Sequence, residues 1–405
     1  MPRRLLAGVI GAGALVLALT GCVPNNTGDG NAAAAVKVAI TDDTCAVTEN
    51  TTPSGATAFT ITNTGSDVNE FEILASDKLR IVGEKENITP GQTVTFTAQL
   101  EPGSYFTACK FQQVGSPVGL AAFTVTGTAT ELSSDAKKLS ASAVTNYVSY
   151  ITSQVGELIP AVQTFTTAYA AGDDATARRL FPTTRAFYER IEPTAEAFGD
   201  LDPKLDYREV DAAAEGLDWT GFHRIEKDLW PPAADALNSD GTSALLDWAP
   251  SSPEQRRQFA DQLVADTNQL ATLVNADDFT VSLADISNGA IGLLDEVASG
   301  KITGEEDWWS GTDLTDFAAN VQGADVAYGN VRDIALSKGS AGKKLAGRID
   351  AEFTSLNTLL AQYGSIDAGF VNYHDVTDAQ KKELSDQVNA LAEPLSRLTA
   401  LVLGD

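Results

Sequence analysis

Histidine, cysteine and methionine are scarce in this chain, with two, three and one respectively among 405 residues. A zincin site needs two histidines four residues apart on one helix with a glutamate base, and His223 and His374 lie far apart in sequence. Type 1 copper needs two histidines and usually a methionine near its cysteine. The stretch KFQQVGSPVG after Cys109 has neither. Basic residues are also few, 28 against 55 acidic, for a net charge of −27. That balance excludes a nucleic-acid binder, which requires clustered lysine and arginine. It suits a cation binder, and equally an acidic solvated surface. No Gly-x-Ser-x-Gly elbow, glycine-rich phosphate loop or Cys-x-x-Cys pair is present, which argues against a hydrolase or a nucleotide enzyme.

No apolar run beyond the N-terminus approaches the roughly 20 residues of a spanning helix. The start, MPRRLLAGVIGAGALVLALTGC, places Arg3 and Arg4 before an apolar segment of signal-peptide length. Leu-Ala-Leu-Thr-Gly-Cys resembles a bacterial lipobox, which implies cleavage before Cys22 and lipidation of its sulfur; an ordinary secretory signal is the alternative. Residues 1–21 are then signal peptide and 22–35, VPNNTGDGNAAAA after the cysteine, a tether. Loss of Arg3 and Arg4 takes the net charge from −27 to −29.

Residues 36–126 are rich in Thr, Val and Phe, with alternating runs such as TAFTITNTG and TVTFTAQLEPGSYFTAC. Turn signals at Pro53-Ser54, Thr64-Gly65, Pro90-Gly91 and Pro102-Gly103 space them as a small antiparallel sandwich. Residues 127–143 read as a linker passing into a helix. Over 144–405 Ala, Leu, Glu and Asp dominate and the apolar period becomes helical, predicting one bundle or two side by side. Leu384, Val388, Leu391, Leu395, Leu398 and Val402 step by four and three as one buried stripe, kinked by Pro394.

Two segments in this region share a frame. GFHRIEKDLW carries His223 and Glu226, and YERIEP carries Glu189 and Glu192. On a helix, side chains three apart share a face, so each segment can aim two ligand groups in one direction. Between them GDLDPKLDYREVD adds Asp200, Asp202, Asp206, Glu209 and Asp211. Like charges three apart repel unless a cation lies between them, and bundles lined by Glu and His hold iron or manganese. The competing reading pairs Glu189 with Arg185 and makes His223 a packed helix residue. His374, in VNYHDV, reads as a surface residue of a loop. In the β region Cys45 and Cys109 have two readings. One is a disulfide, the default outside the cytoplasm. The other is a thiolate metal site completed by Glu70 or Glu72 and Glu84 or Glu86.

WTGFHRIEKDLW, FYERIEP with FGDLD, ISNGAIGLLDEVASGKITGEED, TDLTDFAANVQGA, ENITPGQTVTF and EPGSYFTAC together resemble the EfeO family, the extracytoplasmic component of an iron-uptake system. The resemblance runs from about Val36 to the C-terminus. It implies a cupredoxin-like Greek-key sandwich followed by an imelysin-like helical bundle. It further implies capture of ferric or ferrous iron at the membrane, delivery to a membrane permease, and a haem-dependent peroxidase as a further component. The metal site it implies is His223 and Glu226 with Glu189, Glu192 and Asp206. A second site, with copper or zinc as further candidate metals, falls on Cys45, Glu70, Glu84 and Cys109. Imelysin-like chains often have Ser-His-Thr-Asp-Leu where this one reads Ser310-Gly311-Thr312-Asp313-Leu314, so that histidine is missing here. The alternatives to a carrier without turnover are an imelysin-like metallopeptidase and a polysaccharide-binding lipoprotein.

Overall fold

The computed structural model describes residues 35–404 apart from 75, 77, 79–80, 101, 112–117, 129–133 and 300. The signal, Cys22 and the tether to residue 34 lie outside the described residues. Nine strands come first: β1 (Val36–Ile40), β2 (Cys45–Val47), β3 (Thr51–Pro53), β4 (Gly55–Asn63), β5 (Asn69–Leu74), β6 (Ile81–Ile88), β7 (Thr93–Leu100), β8 (Gly103–Phe111) and β9 (Val118–Thr126). They form two sheets, ordered β2-β1-β4-β7 and β3-β9-β8-β5-β6, with β1 parallel to β4 and β3 parallel to β9. Alternation in GATAFTITN sends Phe59 and Ile61 into the sandwich, as period-two patterning requires. Phe59 packs against the rings of Phe71, Phe96 and Phe123 at 5.3, 6.1 and 5.7 Å. In β5 all six residues are buried, so this strand is covered on both faces. The second cover is the helical domain.

That domain comprises α1 (Ser134–Ala171), α2 (Asp174–Glu189), α3 (Leu201–Asp206), α4 (Glu209–Glu215), α5 (Gly221–Leu229), α6 (Pro253–Val274), α7 (Leu283–Ser299), α8 (Asp313–Ser337), α9 (Gly339–Leu360), α10 (Asp378–Leu395) and α11 (Leu398–Leu403). A short 3-10 helix, Glu192–Phe198, follows α2. One continuous apolar core joins the long helices. The domains meet where α7 packs on β6 and β7. There Asn288 Nδ2 donates to the Thr97 carbonyl at 2.8 Å, and Lys110 of β8 pairs with Glu215 of α4 at 3.3 Å.

Three sequence expectations shift. The first helix begins at Ser134, inside the segment read as linker. The stripe from Leu384 to Val402 is buried as expected, but it is divided between α10 and α11, because Pro394 has no N–H to donate and the helix ends one residue beyond it at Leu395. Glu189 and Glu192 do not share a helix face, since α2 ends at Glu189 and Pro193 belongs to the separate 3-10 turn.

Two glycines permit the close packing that positions these segments. Gly221 starts α5 with φ +80°, and an added Cβ would lie 2.2 Å from the Leu205 carbonyl oxygen. Gly289 lets α7 press on the segment after α2, where a Cβ would lie 1.7 Å from the Pro193 oxygen. Gly292, one turn on, faces open space. Gly289→Ala should therefore lower stability by about 3 kcal/mol through forced backbone displacement, whereas Gly292→Ala should raise it by up to about 1 kcal/mol. Chemical denaturation of the two variants checks the pair, and equal effects would contradict the packing.

Candidate metal centre

Arg185, one turn before the end of α2, is among the largest fully buried side chains. A lone buried guanidinium is costly, and this one is enclosed by carboxylates. It bonds Glu189 and Asp206, reaches Glu306 Oε1 and Asp316 Oδ2 at 3.0 Å each, and lies 3.6 Å from Asp307 Oδ1. The rings of Phe181 and Phe222 lie 5.9 and 5.6 Å from its guanidinium carbon. Lys301, 4% exposed, is the second cation. Its Nζ is 3.1 Å from Glu189 Oε2, 2.8 Å from both oxygens of Glu192 and 3.6 Å from Glu306 Oε1. Asn320 Nδ2 donates to the same two glutamates, at 2.9 Å to Glu189 and 2.6 Å to Glu192.

Every residue of α5 is buried, so each of its polar side chains needs a partner. His223 Nδ1 is 3.0 Å from Glu226 Oε2, and Glu226 Oε1 accepts the Trp309 and Ser310 N–H groups at 3.1 and 2.8 Å. Glu226 is thereby fixed as the support of the imidazole. Nε2 makes no hydrogen bond and faces Asp206 Oδ1 and Glu306 Oε1 at 3.6 Å each. It is the nitrogen left to ligate. Next along α5, the Lys227 ammonium bonds Glu209 and sits 4.9, 5.2 and 5.7 Å from the rings of Trp309, Trp248 and Trp219, closing this side.

Three groups of donors converge within 4.8 Å: Asp206 with His223 and Glu306, His223 with Glu226 and Asp307, and Glu189 with Glu306 and Asp316. Asp307 Oδ1, Asp313 Oδ2 and Asp316 Oδ1 are buried without a hydrogen-bond partner. The centre thus holds eight carboxyl groups, Glu189, Glu192, Asp206, Glu226, Glu306, Asp307, Asp313 and Asp316, against the fixed charges of Arg185 and Lys301. Carboxyls so crowded keep protons or take a cation. Burial, with the charge of Glu226, pushes Asp307 up to about 7. Burial also raises Asp206, Asp313 and Asp316, while Lys301, His223 and Arg185 outweigh it at Glu306 and hold that carboxyl well below the usual range. For His223, burial and Arg185 oppose the charge, but the contacts with Glu226, Glu306 and Asp206 prevail and push it up to about 10.

The expected set Glu189, Glu192, Asp206, His223 and Glu226 therefore converges, with Glu192 at its outer edge, held by Lys301 and Asn320. α2 and α5 are neighbours, and the Glu189–Arg185 pairing holds together with the site rather than instead of it. His374 is exposed. Reading the sequence missed Glu306, Asp307, Asp316 and Lys301. One signal was available: Asp313, Asp316 and Asn320 step by three and four through the apolar run of α8, a polar stripe at helical spacing.

In the β domain the expected four-residue site does not form. Cys45 and Cys109 are joined by a disulfide, their Cα atoms 5.7 Å apart. Cys109 pairs across the strands with Phe71 and points into the sandwich, whereas Glu70, opposite Lys110, turns the other way and groups with Glu72 and Glu84. Successive residues of a strand face opposite sides, which separates the sulfurs from the carboxylates.

Two outcomes follow from these charges. Removing one partner of a buried ion cluster costs about 3–5 kcal/mol, so Arg185→Met should destabilise by that amount in chemical denaturation. Loss of the half-exposed Arg332–Asp350 pair through Arg332→Met should cost no more than about 1 kcal/mol. An ion bound by His223 and Asp307 must displace their protons, so affinity rises with pH through the range below about 7 for Asp307 and below about 10 for His223. Calorimetry in buffers of different ionisation heat should show protons released on binding; no release would contradict coordination by these groups.

The imelysin family profile matches residues 143–398, and the profile for a cupredoxin-like domain matches residues 11–119. The iron uptake system component EfeO of Escherichia coli is 38% identical over 369 residues, 91% of this chain and 91% of that protein. The protein of the same name from Yersinia pestis is 38% identical over 370 residues, again 91% of each. The chain belongs to the EfeO family, its cupredoxin-like domain standing ahead of its imelysin domain.

Proposed function

We propose that this protein is an extracytoplasmic iron-binding carrier, anchored through lipidated Cys22, that captures iron in its helical domain and passes it to a membrane permease. The observation that carries this reading is the buried excess of carboxylate around the unpartnered Nε2 of His223. Oxygen-rich donor sets favour hard cations, and imidazole is tolerated, so ferric iron fits better than cuprous copper. His223, Asp206 and Glu306 supply the first donors, with Asp307, Asp316 and Glu189 within reach. Glu226 holds the Nδ1 proton and so presents Nε2 to the ion. The haem-dependent peroxidase of such systems is the expected further partner. Two relatives named as iron uptake components, matching over 91% of the chain, support the uptake role.

Peptidase chemistry fits poorly. A catalytic metal keeps an open position beside a substrate cleft, and the cavity next to His223 and Glu226 measures only about 20 Å³. Among the described residues no helix is long and apolar enough to cross a membrane; the lipobox-like stretch ending at Cys22 supports attachment through a lipid.

Iron titration of the mature protein tests the site. His223→Ala should abolish tight binding with helix content unchanged, Glu226→Gln should weaken it about 10- to 100-fold, and His374→Ala should bind as wild type. Wild-type affinity in the first two variants would refute the assignment. Cys22→Ser should accumulate as uncleaved precursor or appear in the medium; normal size in the membrane fraction would exclude the lipid anchor.

A further inference from the structure

Among the described residues, two openings near the metal centre differ in size and chemistry. The one beside Trp219, Trp308 and Trp309 has a volume of about 20 Å³, with room for about one water. The other is a cavity of about 460 Å³ between the domains, walled by β6 and β7 on one side and by the 192–196 segment, α7 and α10 on the other. Its carboxylates are Glu84, Glu86, Glu192, Glu196, Asp285 and Glu393. Of the eight carboxyls of the centre, Glu192 alone lines this cleft. Behind Glu192 stands Lys301, and the ammonium leads inward to Glu189 Oε2 at 3.1 Å and Glu306 Oε1 at 3.6 Å. Glu306 Oε1 is in turn 3.6 Å from His223 Nε2.

We propose that cations reach the buried centre from the interdomain cleft, taken first by Glu192, and that Lys301 is a tethered cation which an incoming ion displaces. The inference rests on the iron-carrier reading above. The two buried cations are unequal candidates for displacement. Arg185 is locked by five carboxylates and two aromatic rings, and its planar fork is matched to them. Lys301 is a compact point charge on a flexible four-carbon stem that can turn toward the cleft without moving a helix. While it stays, it neutralises Glu189, Glu192 and Glu306 and keeps an otherwise repulsive set of oxygens together. When an ion of higher charge arrives, those oxygens are already converged. The β domain then serves as the far wall of the vestibule, with Glu84 and Glu86 of β6 adding to the field that draws cations in.

Stopped-flow tryptophan fluorescence with ferrous ion, under anaerobic conditions and low salt, tests the route on the mature protein. Glu196, exposed in the cleft, and Glu305, beside the aromatic opening, both lie outside the proposed ligand set. Glu196→Lys should slow association on the order of tenfold and leave dissociation unchanged, while Glu305→Lys should leave both at wild-type values. Lys301→Met should bind faster and on the order of tenfold tighter, because the competing charge is gone; Lys301→Arg should bind more slowly. Slowing by Glu305→Lys with no effect of Glu196→Lys would place the route at the tryptophans and overturn the proposal. Weaker binding by a folded Lys301→Met would make the lysine a structural strut and overturn it as well. If wild type and His223→Ala bind ferrous ion alike, the carrier reading itself fails, and this inference with it.

Discussion

The buried guanidinium of Arg185 is the interaction on which the helical domain depends. It draws Glu189 from α2, Asp206 from α3, Glu306 and Asp307 from the segment after α7, and Asp316 from α8 to one point. Each of those carboxylates would be costly to bury alone. The arginine would be equally costly without them, so the four elements are bound to one another's presence rather than to a local propensity. Such a cluster is weak evidence for net stability compared with an apolar core. Its consequence here is geometric, since it holds a convergent set of oxygens in front of His223.

The same arrangement supports the proposed carrier role over an enzymatic one. The donors are enclosed, the imidazole is fixed by Glu226, which two backbone N–H groups hold in turn, and the internal cations neutralise the carboxylates that the proposal assigns to a metal ion. Reversible cargo binding requires that the empty state be tolerable. Arg185, Lys301 and the proton that burial holds on Asp307 reduce the charge of the cluster, as the proposed carrier role requires.

The β domain contributes in another way. Its disulfide lies toward the sandwich interior, and its outer carboxylates face the helices, so the chemistry available at the domain boundary is carboxylate rather than thiolate. The six buried residues of β5 record that this sheet face was never meant for solvent. The contacts of α7 with β6 and β7, fastened by Asn288, turn two domains of different texture into walls of one cleft.

Strand alternation, helical periodicity and the change of composition near residue 127 are local properties, and they were enough to divide the chain and to assign each half its class. Gly-x-His-x-x-Glu and the acids of YERIEP likewise marked His223, Glu226, Glu189 and Glu192, because ligand groups in an apolar helical frame are conspicuous, while Asp206 was singled out from its acidic neighbours by the family resemblance. The roles within that set were decided only by the tertiary structure. Glu226 became the support of the imidazole because the chain at Trp309 and Ser310 came to lie against it, a contact separated by more than eighty residues. Glu306, Asp307 and Asp316 entered the centre because α8 packs on α2 and α7 on the 3-10 segment that follows it, where Gly289 permits the approach. Glu70 and Cys109 were parted because neighbouring residues of a strand point to opposite faces, which only the register of β5 against β8 could specify. Sequence spacing fixes which side chains share a face of one element; the meeting of faces from distant elements depends on how they pack, and that is set by the whole core.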